Sequence, residues 1–459
     1  MVQSSATGGG YAYRIATVAA AAGLLFGFDI AVINGALVFL RVQFALTELQ
    51  TEIAAGALLL GCAFGASMAG PLSDRLGRRR ILIASAALFA LSSIGAALPH
   101  NLAEFISARL AAGIATGIAS MLAPLYIAEN SPPAIRGRLV TFNQMAIVTG
   151  ILIAYTVNWA LAGLGPQCWR WMFAFAAAPA IVFWAGLLFV PESPRWLVKQ
   201  GRDFEALQIL DRLSGPVEAA HQLREIQDAV REEQDSLRQL LQPGFRVPLI
   251  IAVTLAILQQ ITGVNTVLYY GTLIFRDQVG QQSNTSAIGL NVIIGSINFL
   301  ATILAIAIID KAGRKPLLLA STGGMAVSLV LIGAAFRVHP VPAALVLAAI
   351  LAYVVSFGIG MGPGVWVLMS ELFPTRIRGR AMAIATVALW LASLLLTVTF
   401  LSLVSAIGAS GTFWLYAGLS AFTFVFIWRV VPETRRKSLE EIERMWQPRG
   451  VVEMPSEGS

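Results

Sequence analysis

Apolar residues fall into twelve long runs separated by short polar breaks. Each run is long enough to cross a bilayer core, which takes roughly 20 residues of helix. Six lie near Arg14 to Leu40, Thr51 to Pro71, Ile81 to Leu98, Leu102 to Glu129, Leu139 to Leu161 and Arg170 to Val190. Six more lie near Val247 to Phe275, Ala287 to Ile309, Pro316 to Phe336, Val341 to Glu371, Ala381 to Ile407 and Thr412 to Val431. Runs of this length predict an all-α membrane protein with twelve transmembrane helices. The polar insert from Glu192 to Arg246 differs in period: Leu207, Leu210 and Leu213, then Leu223, Ile226, Val230 and Leu237, recur at helical spacing among charges. It predicts short amphipathic helices. Ser438 and Glu441, after Pro432, have capping-box spacing and predict one more.

The polar breaks are written twice. Asp74-Arg75-Leu76-Gly77-Arg78 returns as Asp310-Lys311-Ala312-Gly313-Arg314, and Glu129 with Ile135-Arg136-Gly137-Arg138 returns as Glu371 with Ile377-Arg378-Gly379-Arg380. Pro191-Glu192-Ser193 returns as Pro432-Glu433-Thr434, so the chain is a duplication with a period of about 240 residues. Duplicated membrane halves usually enclose a solute site between them. The expected division is 1–191 for the first membrane half, 192–246 for the helical linker, 247–431 for the second half and 432–459 for the tail.

Hydrophobic residues make up 57% of the 459 positions and charged residues 12%, which excludes the soluble globular classes. The cations fall on one side of the predicted topology: Arg75 to Arg80, Arg136 and Arg138, Arg195 to Arg246, Lys311 to Lys315, Arg376 to Arg380 and Arg435 to Lys437. By the positive-inside rule that side, with both termini, is cytoplasmic, and the plasma (inner) membrane is the expected location. The net charge of +7 then reflects topology and implies no nucleic-acid partner. Met1 to Gly10 has no basic n-region, so no cleaved leader is expected. Cys62 falls within a span and Cys168 in an outer loop, while His100, His221 and His339 are scattered over loops. No disulfide, metal site or cofactor is expected from them.

An ionisable residue within a span is costly and marks function by default. Asp29 lies roughly 21 Å up the first helix and Arg109 about 10 Å down the fourth, so the two charges reach one depth in a core of about 30 Å. An intramembrane ion pair is expected. A nearby guanidinium favours the ionised carboxylate and separation in an apolar surround favours the acid, so a motion that parts them is a proton switch. Gln144, Gln259, Gln260, Asn265 and Asn298 add amides at membrane depth, with Trp366 and Trp390. Amides donate and accept at once, and indole offers a flat face with one N–H, a combination that suits a hydroxyl-rich ring. Gly358-Ile359-Gly360-Met361-Gly362-Pro363-Gly364 predicts a broken helix, and Gly113 and Gly117 allow close helix contact near Arg109. The repeated cations, set against Glu129, Glu192, Glu371 and Glu433, predict salt-bridge clusters that form and break.

With these residues in place, the chain resembles the sugar porters of the major facilitator superfamily from about Ala22 to Glu443. The likeness is carried by Asp74-Arg75-Leu76-Gly77-Arg78-Arg79, Pro191-Glu192-Ser193-Pro194-Arg195-Trp196-Leu197 and Gln259-Gln260-Ile261-Thr262-Gly263-Val264-Asn265. Asp310-Lys311-Ala312-Gly313-Arg314-Lys315 and Pro432-Glu433-Thr434-Arg435 follow in family order. The resemblance implies two pseudo-symmetric six-helix bundles, the major facilitator fold, rocking about a central sugar cavity. It implies sugar hydrogen bonds from Gln144, Gln259, Gln260, Asn265 and Asn298, ring packing by Trp366 and Trp390, and a proton-coupling pair of Asp29 and Arg109. It also implies a cytoplasmic salt-bridge gate of Arg78, Glu129, Arg136, Glu192, Arg314, Glu371 and Arg378. Two positions depart from the family's xylose symporter: Ile151 stands for a sugar-binding glutamine and Leu389 for an amide.

The reading is a monomeric secondary transporter taking up a monosaccharide, hexose or pentose, with a proton. It performs no covalent step, so no enzyme is expected. A facilitative uniporter of the same fold, a carrier of a polyol such as inositol, and a membrane sugar sensor are the alternatives.

Overall fold

The computed structural model describes residues 4–132, 135–231, 244–280, 283–338, 341, 343–373 and 375–434. Twelve of its helices are long and apolar enough to cross a membrane, and there is no strand among the described residues. The first half contributes α1 (Gly10–Gln43), α2 (Glu48–Leu76), α3 (Arg78–Ala97), α4 (Leu102–Glu129), α5 (Arg138–Leu161) and α6 (Cys168–Leu187). Three short helices follow: α7 (Pro194–Lys199), α8 (Asp203–Ser214) and α9 (Pro216–Arg231). The second half contributes α10 (Arg246–Gln278), α11 (Asn284–Ile309), α12 (Arg314–Ala335), α13 (Ala343–Met369), α14 (Ile377–Thr397) and α15 (Phe400–Val430).

Local sequence sets the helix ends. Thr47 and Gln50 form a capping box that starts α2, and the Asn101 and Ser283 side chains cap α4 and α11. Gly77 and Gly313, the same position of the duplicated motif, both adopt positive φ, 99° and 95°, where the chain turns from one helix into the next. The packing repeats as well. α1 lies along α5 as α10 lies along α14, and α3 touches α6 as α12 touches α15. The halves meet where α5 packs on α11 and α2 on α14.

The amphipathic insert forms a small core of its own, with Trp196, Leu197, Val198 and Ala206 buried against Ile209, Leu223, Ile226 and Val230. Trp196 Nε1 ties it to the α2–α3 turn by donating to the Asp74 carbonyl at 2.9 Å. Leu237, His339 and the helix expected at Ser438 and Glu441 lie outside the described residues. Two expected boundaries are corrected. The run taken to Ile407 ends as α14 at Thr397, and α15 begins at Phe400, well before Thr412, with a kink at Gly408 (φ 73°). The turn falls on Val398 and Thr399, which are β-branched and uncharged, so hydropathy carries no clear break there. Cys168 is the buried first residue of α6 and no loop residue.

α2 and α4 cross at backbone contact. A Cβ on Gly113 would stand 2.0 Å from the Leu58 carbonyl oxygen, and one on Gly117 2.2 Å from that of Cys62. Overpacking of this kind costs about 1–3 kcal/mol. Gly113→Ala is therefore expected to lower the thermal midpoint of the detergent-solubilised protein by several degrees. Gly418→Ala, whose Cβ meets nothing within 4 Å, is expected to leave it unchanged. Equal midpoints for the two variants contradict this packing.

Candidate functional site

The halves enclose a central cavity of about 110 Å³. Gln144 of α5, Gln259, Gln260 and Asn265 of α10, Asn298 of α11, Trp366 of α13 and Trp390 of α14 all line it. Sequence had placed these seven on five separate helices, and the fold brings them to one space. Two helix irregularities do the positioning. α10 is interrupted at Gly263, which takes a left-handed φ of 99°, so Gln259 and Gln260 end one segment and Asn265 begins the next. In α13 the Gly-rich stretch winds into a π-turn over Phe357–Met361. Such a turn displaces carbonyls from their helical partners. Gln259 Nε2 reaches two of them, donating to Met361 O at 2.6 Å and Gly362 O at 3.2 Å.

From there the amides form a chain. Gln260 Nε2 donates to Gln259 Oε1 at 3.1 Å, and Asn265 Nδ2 donates to Gln260 Oε1 at 2.8 Å and to Ser393 Oγ. The Trp390 indole N–H is buried without an acceptor among the described residues, its ring edge-on to Phe26 at 5.3 Å. Ile151 and Leu389, the two departures from the family pattern, also face the cavity.

Asp29 and Arg109 meet beside this space. Arg109 Nη1 pairs with Asp29 Oδ1, and Nη2 donates to the Asp29 carbonyl at 3.1 Å. The side chains are 3% and 1% exposed, so water does not screen the pair. Phe173 of α6 offers its ring 5.2 Å from the guanidinium, a cation–π contact. Arg109 leaves Asp29 Oδ2 unpaired, and the Thr116 hydroxyl of α4 stands by the same carboxylate. On the same turn of α1, Phe26 and Ile30 line the cavity, so pair and cavity share one helix.

The profile of the family described as Sugar (and other) transporter matches residues 15–446. The chain belongs to this family. It is 38% identical over 444 residues to the arabinose-proton symporter of Bacillus subtilis (strain 168), covering 95% of each chain. It is 38% identical over 476 residues to the D-xylose-proton symporter of Escherichia coli (strain K12), covering 95% of this chain and 96% of that one. The xylose transporter XylE from E. coli, solved in a partially occluded inward open conformation, superposes with a TM-score of 0.84 at 36% identity, over 94% of this chain and 100% of that one. The family and these matches are transporters, and twelve apolar spans make this member an integral, multi-pass membrane protein.

As in any transporter built from two halves, the contacts between the halves define the state. In this sugar transporter family member they gather at the end that carries the α1–α2 turn. Asn34 of α1, 1% exposed, is the hub. Its Nδ2 donates to the Leu268 and Val267 carbonyls at 2.8 and 3.2 Å and lies 3.3 Å from Asn291 Oδ1. Its Oδ1 accepts from the Thr272 N–H at 2.9 Å and from the Thr272 hydroxyl. Tyr155 O–H adds a 3.2 Å bond to the Leu268 carbonyl, Glu52 accepts from the Ser402 N–H and hydroxyl at 2.8 and 2.7 Å, and Arg41 pairs with Asp277 at 3.0 Å. Tyr269 of α10, fully buried with no partner for its hydroxyl among the described residues, lies within electrostatic range of Asp29 and Arg109 from the other half. Sequence reasoning missed Asn34, Tyr269 and Asn291, although the rule that singled out Gln144 covers every amide within a span.

At the opposite end each half carries the same cluster. Arg78 Nε lies 3.2 Å from Glu129 Oε2, which also accepts from the Ser193 hydroxyl; Arg314 lies 2.9 Å from Glu371, which accepts from the Thr434 hydroxyl. Glu192 accepts from the Arg79 N–H at 3.0 Å and so caps α3, as Glu433 caps α12 at the Arg314 and Lys315 N–H groups. The Arg78–Glu129 and Arg314–Glu371 pairs each lie within one half. Among the described residues Arg136 and Arg378 form no ion pair; Arg378 donates to the Phe373 carbonyl at 3.1 Å.

Asn34 carries the closed end, and removing one partner of a buried network leaves the other groups unpaired. Asn34→Ala is expected to open that end, read as a longer and broader distance between spin labels at Val42 and Asn284. An unchanged distance distribution contradicts the latch.

Proposed function

We propose that the protein is a proton-coupled secondary transporter that takes up a monosaccharide, hexose or pentose, by alternating access. The observation that carries this reading is the buried Asp29–Arg109 pair on the helix turn whose neighbours, Phe26 and Ile30, line the cavity. Gln144, Gln259, Gln260, Asn265 and Asn298 hydrogen-bond the sugar hydroxyls, and Trp366 and Trp390 cover its apolar faces. The named sugars of the relatives, arabinose and xylose, support that class.

The coupling follows from electrostatics. Asp29 Oδ2, the carboxylate oxygen that Arg109 does not hold, is the position at which the proton binds. Protonation removes the charge that holds Arg109, so α1 and α4 shift relative to one another. Because α1 also carries Asn34, the shift reaches the latch that closes one end. Sugar and proton then each bias the same two-state element, and a ligand moves such an equilibrium only through differential affinity.

In this reading residues 1–191 and 247–431 are the rocking bundles, joined by the linker 192–246 and followed by the tail 432–459. The latch end faces outward, and both termini face the cytoplasm of a plasma-membrane monomer. Arg78, Glu129, Arg136 and Glu192, with Arg314, Glu371 and Arg378, form the cytoplasmic gate, whose pairs exchange partners when that side closes.

One coupled proton supports about tenfold accumulation per pH unit. In proteoliposomes with a one-unit gradient, Asp29→Asn is expected to abolish that accumulation while equilibrative exchange of labelled sugar continues. Accumulation that survives in Asp29→Asn refutes coupling through this residue.

A further inference from the structure

The two sides of the cavity differ in chemistry. The second half brings four of the five amides, Gln259, Gln260, Asn265 and Asn298, set among Trp366, Trp390 and aliphatic residues such as Leu389. On the first half the wall is aliphatic and aromatic: Phe26 and Ile30 of α1, with Ile147, Val148 and Ile151 of α5. Gln144 is the one amide on that side, and it stands one turn before Ile147 and Val148 and two turns before Ile151 on the same face of α5. A ring lying between these walls finds most of its donors and acceptors on the second half and a nearly unbroken hydrocarbon face on the first.

We infer that the preferred substrate is a 6-deoxyhexose, a sugar whose exocyclic carbon is a methyl group seated against Ile147, Val148 and Ile151. This rests on the monosaccharide reading above and narrows it. The argument is one of desolvation. A hydroxymethyl group against this wall gives up water and finds no partner, which is costly for a buried hydroxyl. A bare hydrogen, as in a pentose, leaves the apolar pocket unfilled, and one missing methylene in such a pocket is worth about tenfold or more. A methyl fills the space and loses no hydrogen bond. The remaining ring hydroxyls face the amide chain, where each can accept from one amide and donate to the next. Ile151 and Leu389 line the cavity from opposite halves and offer an exocyclic hydroxyl no partner on either side.

Two matched series isolate the exocyclic group, since each keeps ring stereochemistry and varies only CH₂OH, CH₃ and H. They are D-galactose, 6-deoxy-D-galactose and L-arabinose, and D-glucose, 6-deoxy-D-glucose and D-xylose. In proteoliposome uptake the 6-deoxy member is expected to show the highest kcat/KM in the series that is accepted, about tenfold above its parent hexose. Ile151→Gln is expected to narrow or invert that ratio by giving the hexose hydroxyl a partner, and Val148→Thr supplies the same comparison if the first variant does not fold. A parent hexose that matches or exceeds its 6-deoxy form in every accepted series overturns the inference and leaves the monosaccharide reading standing. So does a ratio unmoved in a variant that still transports. Failure of all six sugars to enter overturns the monosaccharide reading itself, and this inference with it.

Discussion

A carboxylate and a guanidinium stand in contact inside a helix bundle where water does not reach them. Burying such a pair is poor design for stability, because desolvation of two ions offsets most of their attraction, and packed apolar residues often do as well. Losing one partner is worse, at about 3–5 kcal/mol, because the other is left as an uncompensated charge. In the proposed mechanism the pair is a device with two settings, and the rest of the architecture places things where those settings matter. α1 carries three of them along one rod: the cavity residues Phe26 and Ile30, the acid Asp29 between them, and the latch Asn34 a little more than one turn beyond.

The second half answers with irregular backbone. Hydrocarbon tolerates non-helical backbone only where protein or a cavity covers it. α10 breaks at Gly263, between the cavity residues Gln260 and Val264, and α13 loosens at Phe357–Met361, where Phe357 and Gly358 line the cavity. Each serves two ends: carbonyls of the π-turn hold Gln259, while the segment after Gly263 brings Asn265 to the cavity and offers Val267 and Leu268 carbonyls to Asn34. A movement of that segment therefore changes the amide wall and the latch together. The first half keeps its spans more regular and supplies the charge pair, so the duplicated halves have divided the work.

Much of this was legible in the sequence. Twelve spans, the duplicated loops and the polar linker are properties of composition at long range, and hydropathy reports them well. The level depth of Asp29 and Arg109 came from rise per residue alone, and the amides and tryptophans at membrane depth mark themselves by their cost. What was not legible has physical causes. The α14–α15 turn hides in Val398 and Thr399 because β-branched residues read as membrane. Glu192 looked like an arginine partner, but a carboxylate beside a helix N-terminus finds backbone N–H groups first. Asn34 binds backbone carbonyls more than 230 residues away, and no local pattern announces a partner that only tertiary packing supplies.

The central claim is that Asp29 exchanges its proton as sugar crosses. The most direct measurement is the pH outside tightly sealed, right-side-out proteoliposomes, with no gradient imposed, at the moment a transported sugar is added. The account predicts external alkalinisation in step with sugar entry for the wild-type protein and none for Asp29→Asn. Sugar entering the wild-type vesicles with the external pH unmoved would contradict it.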